Sequence, residues 1–252
     1  VTCGHLAPIY CVVISYSSKR AYTGADDGLI KVWSILDGSL IRTLRGHKSE
    51  ITDLQISPQD TLIASSSTDC SVRVWSATDW SEIAHLKGHT EEVLRVRFSP
   101  CGKTLLTASL DGFARLYLVS NFNDSTGFAL MKRGGTGRQK VECSAIDVHP
   151  SGTEFVVGTN DNCAHVFSMK QNAVCFDPPQ ELKFSQTDWK TKSVLSEQNL
   201  DRFMTTTDAE YRRFRGYRVE SEVNYARRNL LSILDGHFHE VSCIAYSHGG
   251  HR

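Results

Sequence analysis

Three groups of side chains in this sequence each contain the histidine, hydroxyl and aspartate of a hydrolytic triad. In a hydrolase, such side chains activate one exposed nucleophile beside an oxyanion hole. Here the combination recurs every 42 residues, always in the same order. Repetition at a fixed period favours a structural role over a catalytic one. The three sets are His5, Thr23 and Asp27; His47, Ser65 and Asp69; and His89, Thr107 and Asp111.

Other residues repeat with the same period and indicate short strands. Each histidine lies in a Gly-His pair, and an aromatic residue comes 28 positions after it. Around these positions, apolar and polar residues alternate, and Ser-Pro, Asp-Gly and Asp-Cys turns interrupt the alternation. This pattern predicts antiparallel β-strands, and therefore an all-β protein. The aromatic residues are Trp33, Trp75 and Tyr117.

The repeat continues in weaker form along the rest of the chain. The histidine and aromatic positions hold Gln139 and Phe167 in a fourth unit, and Gln186 and Phe214 in a fifth. A new Gly-His pair then opens a sixth unit. We predict five recognisable units and the start of a sixth, at approximately residues 4–45, 46–87, 88–138, 139–185, 186–235 and 236–252.

The two ends of the sequence suggest further units. Only three residues precede Gly4, and the sixth unit stops after about one strand. We expect the native protein to continue past Arg252 with further repeat units. We also expect residues 1–252 alone to self-associate through open strand edges.

The residues at these positions resemble the WD-repeat β-propeller family over essentially the whole chain. More narrowly, the first three units resemble the amino-terminal propeller of bromodomain-and-WD-repeat proteins. That likeness rests on residues 22–27 (YTGADD), 43–53 (TLRGHKSEITD) and 181–184 (ELKF). The resemblance implies four-stranded antiparallel blades arranged radially, within a propeller of seven or eight blades.

The resemblance also implies a structural role for the repeated histidine sets. In this family, the histidine bonds the aspartate, and the serine or threonine bonds both the histidine and the indole of Trp33 or Trp75. A closed network satisfies every buried polar group. Units without an indole or a histidine lack the full network, and we expect them to be less rigid.

A second repeated position predicts a binding surface. Three residues after the histidine position, four of six units carry glutamate: Glu50, Glu92, Glu142 and Glu240; the others carry Pro8 and Trp189. In a propeller these positions share one rim, with Tyr10 and Asp26 beside them. As the resemblance implies, this rim faces ligand peptides. An acidic rim suits a basic peptide such as a histone tail. The alternative is that these glutamates only keep the rim hydrated.

Composition and the remaining motifs exclude several classes of function. Lys plus Arg equals Asp plus Glu at 28 each, which argues against a surface that grips nucleic acid throughout. No apolar run is long enough to span a membrane. The glycine-rich segment 131–140 lacks the Gly-Lys-Ser/Thr of a phosphate loop. The histidines near the carboxyl end of the sequence match no zinc-finger spacing, so we expect no metal and no cofactor. The scattered cysteines favour a reducing compartment.

These features predict a non-catalytic protein-interaction scaffold without a small-molecule substrate. The resemblance implies a chromatin-associated protein that affects transcription, located in the nucleus with the cytoplasm as a second site. One alternative is the substrate receptor of a cullin–RING ubiquitin ligase, but the Trp-Asp-x-Arg motif of that role is missing, since Ser34 follows Trp33 and Ser76 follows Trp75. Two others are an RNA-binding propeller that uses the arginines of 212–228, and a hydrolase.

Overall fold

The computed structural model describes residues 4–129, 141–169, 230–234, 239 and 241–246. All sixteen regular elements of this part are β-strands, so the all-β prediction is confirmed. The strands are β1 (Ile9–Ile14), β2 (Arg20–Ala25), β3 (Ile30–Ser34), β4 (Leu40–Leu44), β5 (Ile51–Ile56), β6 (Leu62–Ser67), β7 (Ser71–Ser76), β8 (Glu82–Lys87), β9 (Val93–Phe98), β10 (Thr104–Ser109), β11 (Phe113–Leu118), β12 (Asn121–Ala129), β13 (Cys143–Val148), β14 (Glu154–Thr159), β15 (Ala164–Ser168) and β16 (Leu230–Leu234).

The strands form four antiparallel sheets, each of four strands that pair in chain order. We call β1–β4 blade one, β5–β8 blade two, β9–β12 blade three and β13–β16 blade four. The first strand of each blade contacts the first strand of the next, through the pairs β1 and β5, β5 and β9, and β9 and β13. The blades therefore stand side by side in sequence order.

Apolar side chains fill the seams between neighbouring blades. Between blades one and two, Tyr22, Ile30 and Val32 pack in one buried cluster with Ile51 and Leu54. The same positions form the cluster between blades two and three, and again between blades three and four. Burial of an aliphatic side chain contributes about 1.5–3 kcal/mol, so these seams hold the blades together. The alternating apolar pattern of each first strand reflects this contact.

One turn conformation recurs between the second and third strands of each blade. The residue after the turn aspartate has a positive φ, at Gly28 (70°), Cys70 (64°), Gly112 (83°) and Asn162 (67°). Glycine adopts this conformation without strain, and asparagine tolerates it. Blade two places a cysteine there. The blade geometry thus fixes this turn, and three of the four blades have a glycine or an asparagine at the position with positive φ.

The prediction of a separate fifth unit over 186–235 is wrong at its carboxyl end. Strand β16 pairs with β15 in blade four, with Ile233 opposite His165 and Leu234 opposite Ala164. Residues 169–229 therefore lie between the third and fourth strands of one blade. Residues 170–229 are outside the described part of the chain.

The predicted start of a new unit near Gly236-His237 lies partly within the described residues. Residues 241–246 run along blade four, where Ile244 and Tyr246 pack against its apolar face. The backbone N–H of Val241 donates to Thr159 (3.3 Å), and that of Tyr246 donates to the Asp147 carboxylate (2.7 Å). This segment thus occupies the place that the first strand of a following blade takes elsewhere.

No helix within the described residues has the length and apolar character needed to cross a membrane.

Candidate binding rim

Each of the first three blades brings its histidine, hydroxyl and aspartate together. The imidazole Nδ1 lies 3.2, 2.9 and 3.0 Å from the aspartate in blades one, two and three, and Nε2 lies 2.8, 2.8 and 2.7 Å from the hydroxyl. The indoles of Trp33 and Trp75 donate to Thr23 and Ser65, at 2.8 and 3.0 Å. The three histidines are His5, His47 and His89.

These contacts form one relay in which every polar group is satisfied. The imidazole Nδ1–H donates to the aspartate, Nε2 accepts the hydroxyl proton, and in blades one and two the hydroxyl oxygen also accepts the indole N–H. The second carboxylate oxygen closes the turn by accepting a backbone N–H two residues later, from Leu29, Ser71 and Phe113. The relay therefore ties the loop before each blade to its second and third strands.

Hydrogen bonds lower the pKa of the turn aspartates of blades two and three. Burial alone would raise the pKa of Asp69, but bonds from His47, Ser71 and the Lys48 backbone outweigh it and hold the pKa well below its ordinary value. Asp111 has a lowered pKa for the same reason, with burial opposed by bonds from His89 and from backbone groups. Both carboxylates are thus ionised in the folded protein near neutral pH.

The same geometry places the hydroxyls out of reach of a substrate. Ser65 and Thr107 are fully buried, at 0% exposure. Ser65 is covered by the indole of Trp75 and already bonded to His47. A catalytic nucleophile must be accessible, so these hydroxyls support the structural interpretation.

Blade four has a different arrangement at the corresponding positions. Val157 replaces the hydroxyl, Phe167 replaces the indole, and Gln139 lies outside the described residues. Here the Thr159 hydroxyl donates to Asp161, and the His165 imidazole, from the third strand, lies 3.9 Å from that carboxylate. Sequence reasoning did not anticipate that a strand histidine would approach the turn aspartate.

The rim is built by a backbone hydrogen bond that recurs in every blade. The residue just before the turn aspartate donates its N–H to the carbonyl of the residue three positions after the histidine. These bonds join Asp26 to Pro8 (3.0 Å), Thr68 to Glu50 (3.2 Å), Leu110 to Glu92 (3.0 Å) and Asn160 to Glu142 (3.1 Å). The residue before each turn aspartate and the residue three positions after each histidine are therefore neighbours at the same end of each sheet.

Carboxylates approach one another where blades one and two meet on this rim. Partial desolvation, then the charge of Asp26 and a hydrogen bond to it, and then the charge of Glu92 raise the pKa of Glu50. The charges of Asp26 and Glu50, followed by desolvation, raise the pKa of Tyr10, whose ring is 56% exposed. Like charges thus add to desolvation at this point of the rim, and no salt bridge to Glu50, Asp26 or Glu92 forms among the described residues.

Part of the chain matches a known family. Residues 1–34, 38–76 and 80–117 match the model of the WD domain, G-beta repeat. The first three blades are therefore WD40 repeats. WD40 repeats usually form non-catalytic propeller domains that bind proteins.

Several curated proteins are similar to about a quarter of the chain. A bromodomain and WD repeat-containing protein of Dictyostelium discoideum is 48% identical over 64 residues, 25% of this chain and 3% of that protein. A COMPASS component of Saccharomyces cerevisiae is 29% identical over 65 residues, 26% of this chain and 21% of that protein. Periodic tryptophan protein 2 of Arabidopsis thaliana is 33% identical over 64 residues, 25% of this chain and 7% of that protein. The chain thus spans a small share of each relative's length.

Hydroxyls at the start of the first strand have a role that the sequence did not reveal. The Thr52 hydroxyl bonds Ser66 (2.8 Å) and the Val93 carbonyl of the next WD40 repeat (2.5 Å). Ser144 makes the equivalent bond to the carbonyl of Val241. Both side chains join adjacent blades. Their spacing within the repeat could have suggested this, but their partners lie in another repeat.

Two predicted rim residues, Trp189 and Glu240, lie outside the described part of the chain. The rim position of Trp189 was inferred from a fifth unit over 186–235. The rim positions of both residues therefore stay predictions. Across the described residues, no three His, Cys, Asp or Glu side chains are close enough together to hold a metal ion.

Proposed function

We propose that this WD40-repeat chain is a protein-interaction scaffold that binds a basic peptide segment on its acidic rim. The observation that carries the proposal is the repulsion of Glu50 by Asp26 and Glu92 on the rim, where the described residues supply no cationic partner. A lysine or arginine from a partner would relieve the repulsion between these carboxylates. Charge complementarity of this kind determines both specificity and the rate of association.

The exposed surroundings fit a peptide. The Tyr10 ring stands beside Asp26 and Glu50, and an aromatic face can receive a cationic side chain while the carboxylates supply charge. Glu142 extends the set to blade four, since its carbonyl takes the same hydrogen bond as that of Glu50. An extended basic segment could therefore contact several blades at once.

The names of two relatives suggest a cellular setting. One is a bromodomain and WD repeat-containing protein and another is a COMPASS component. We propose on this basis that the chain acts in the nucleus, in a chromatin-associated protein that influences transcription, and that histone-tail-like segments are among its ligands. The support is a similarity over about a quarter of the chain.

A peptide titration tests the rim. We expect a labelled lysine- and arginine-rich histone-tail peptide to bind the chain, and the double substitution Glu50→Lys with Glu92→Lys to abolish binding in calorimetry at matched salt. The control is Asp37→Lys with Asp79→Lys, which changes the net charge equally at exposed turns on the opposite end of the sheets.

Control and rim variants should differ sharply. We expect the Asp37 and Asp79 variant to retain most of the affinity, apart from a small long-range effect that salt screens. Undiminished binding by the Glu50 and Glu92 variant would refute the rim as the site. Equal losses in both variants would mean that only net charge matters, and would also contradict the proposal.

A further inference from the structure

Blade one contains a buried lysine without a carboxylate partner. Lys31 lies on β3 and is only 8% exposed. Its ammonium has one hydrogen-bond partner, the Thr43 hydroxyl at 3.4 Å, and no carboxylate in the described part of the chain lies within 4.0 Å. A buried charge that has lost water and gained no counterion is destabilising.

Blade two shows how the repeat neutralises the same position. Arg73 occupies it, and the Glu82 carboxylate on β8 forms a salt bridge with Arg73. Glu82 pairs with Trp75 in the β-ladder, and in blade one Leu40 pairs with Trp33 in the same register. Leu40 therefore stands where the counterion would be, and the carboxylate for Lys31 must come from outside the blade.

The outer strand around Leu40 is open to solvent. Leu40 and Ile41 are 46% and 42% exposed, although both are aliphatic. Glu82 and Ile83 occupy the equivalent positions of blade two and are exposed as well. The exposure is therefore a property of the outer strand of a blade. As the outer strand of its sheet, β4 also presents unpaired backbone N–H and C=O groups.

Two further cations lie on the same strand edge. Arg42 and Arg45 are exposed, and neither has an ion-pair partner among the described residues. Together with Lys31 they give the edge of blade one three positive groups and an aliphatic surface. The edge of blade two differs, since Glu82 neutralises Arg73 there and Ala84 replaces Arg42 in the repeat.

We propose that β4 binds an extended acidic segment of a partner protein, which adds as a further strand to blade one. One carboxylate of that segment takes the place of the missing glutamate opposite Lys31, a second on the same face pairs with Arg45, and the alternate aliphatic side chains lie over the opposite face of β4. Strand addition supplies the main-chain hydrogen bonds, and the side chains supply the selectivity.

The geometry favours a protein strand over a nucleic acid. Surface arginines alone would serve a phosphate backbone, but Lys31 lies one strand inside the edge, and its ammonium extends to Thr43 of β4, within reach of a side chain from a strand added beside β4. The aliphatic pair Leu40 and Ile41 offers nothing to a polyanion. This second site is independent of the rim and selects the opposite charge.

A substitution that supplies the carboxylate within the chain tests the proposal. The probe is a short labelled peptide of alternating glutamate and valine, titrated into the full chain and followed by fluorescence anisotropy. Leu40→Glu recreates the blade-two arrangement, and we expect at least about tenfold weaker peptide binding from it. Because Leu40 is half-exposed, the fold should tolerate the change, and the thermal midpoint should stay level or rise. Ile83→Glu, the matched change on β8, should leave binding unaltered apart from a small charge effect.

Three outcomes would overturn the inference: no saturable binding of the peptide to the unsubstituted chain, equal affinity of the Leu40→Glu variant, or equal loss in the Ile83→Glu control. Competition by a single-stranded RNA oligonucleotide as effective as competition by unlabelled peptide would also overturn it, in favour of a general polyanion surface.

Discussion

Removal of one indole tests whether the histidine relay stabilises its blade. In blade two, Trp75 Nε1 donates to Ser65 Oγ at 3.0 Å, and the hydroxyl is fully buried. Trp75→Phe deletes this donor and leaves a buried hydroxyl short of one partner, at a cost of about 1–3 kcal/mol. The smaller ring also leaves unfilled volume, so the single substitution alone does not isolate the hydrogen bond.

A double-mutant cycle separates the two effects. When Trp75→Phe is made in the Ser65→Ala background, the volume change remains but no hydroxyl is left unpaired. The coupling free energy between Trp75 and Ser65 should be about 1 kcal/mol, the net value of a buried hydrogen bond.

Blade three supplies the matched control. Tyr117 occupies the indole position, but the Thr107 hydroxyl bonds only His89 (2.7 Å) and the Arg115 carbonyl (3.5 Å) within the described residues. A cycle of Tyr117→Phe with Thr107→Ala should therefore show a coupling near zero, and Tyr117→Phe should destabilise less than Trp75→Phe.

Denaturant unfolding gives the four free energies of each cycle. It is followed by far-ultraviolet circular dichroism, because tryptophan fluorescence would change with the substitution itself. Equal couplings in the two blades would refute the relay, because the indole hydrogen bond is the difference between them. A coupling near zero in blade two would do the same.

Two further predictions concern pH and the turns. Because the pKa values of Asp69 and Asp111 are lowered in the folded protein, their contribution to stability is present above the unfolded carboxyl pKa of about 4 and is lost as pH falls through the folded values. Urea unfolding across pH should show Asp69→Asn with Asp111→Asn destabilised at neutral pH and less sensitive to acid than the unsubstituted chain; parallel profiles would contradict this. Gly28 has φ 70°, and a Cβ there would lie 3.0 Å from the Ser49 carbonyl oxygen, so Gly28→Ala should cost about 1–2 kcal/mol. Gly88→Ala, with its nearest atom at 3.6 Å, should be almost neutral, and similar melting shifts for the two would count against the strain argument.

The sequence predicts blades one to three well because each of their marker residues has a local physical reason. The alternating residues of β5 and β9 reflect one face packed in a seam, and the aspartate of each turn follows from the hydrogen bonds it makes. The all-β class therefore follows directly from the spacing.

The carboxyl-terminal boundary of the fifth unit is wrong because spacing alone does not encode strand pairing. Asp208 and Phe214 fall at the expected separation, yet Leu230–Leu234 completes blade four by pairing with β15. A long segment between two strands of one blade can contain residues at repeat spacing by chance. The seam bonds of Thr52 and Ser144 escape sequence reasoning for a related reason, since their partners lie in the next repeat.

The position of β16 has a consequence for the order in which the protein folds and opens. Blades one and two join their third and fourth strands through residues 35–39 and 77–81, whereas residues 169–229 separate β15 from β16. Pairing of strands that are this far apart in the sequence costs about 2 kcal/mol more in chain entropy than pairing of strands joined by five residues. Of the five residues of β16, only Ile233 is buried, so little apolar contact offsets that cost. We expect β16 to join its sheet last during folding and to leave it first when the native protein opens locally, which makes the outer edge of blade four the weakest cooperative unit of the described molecule.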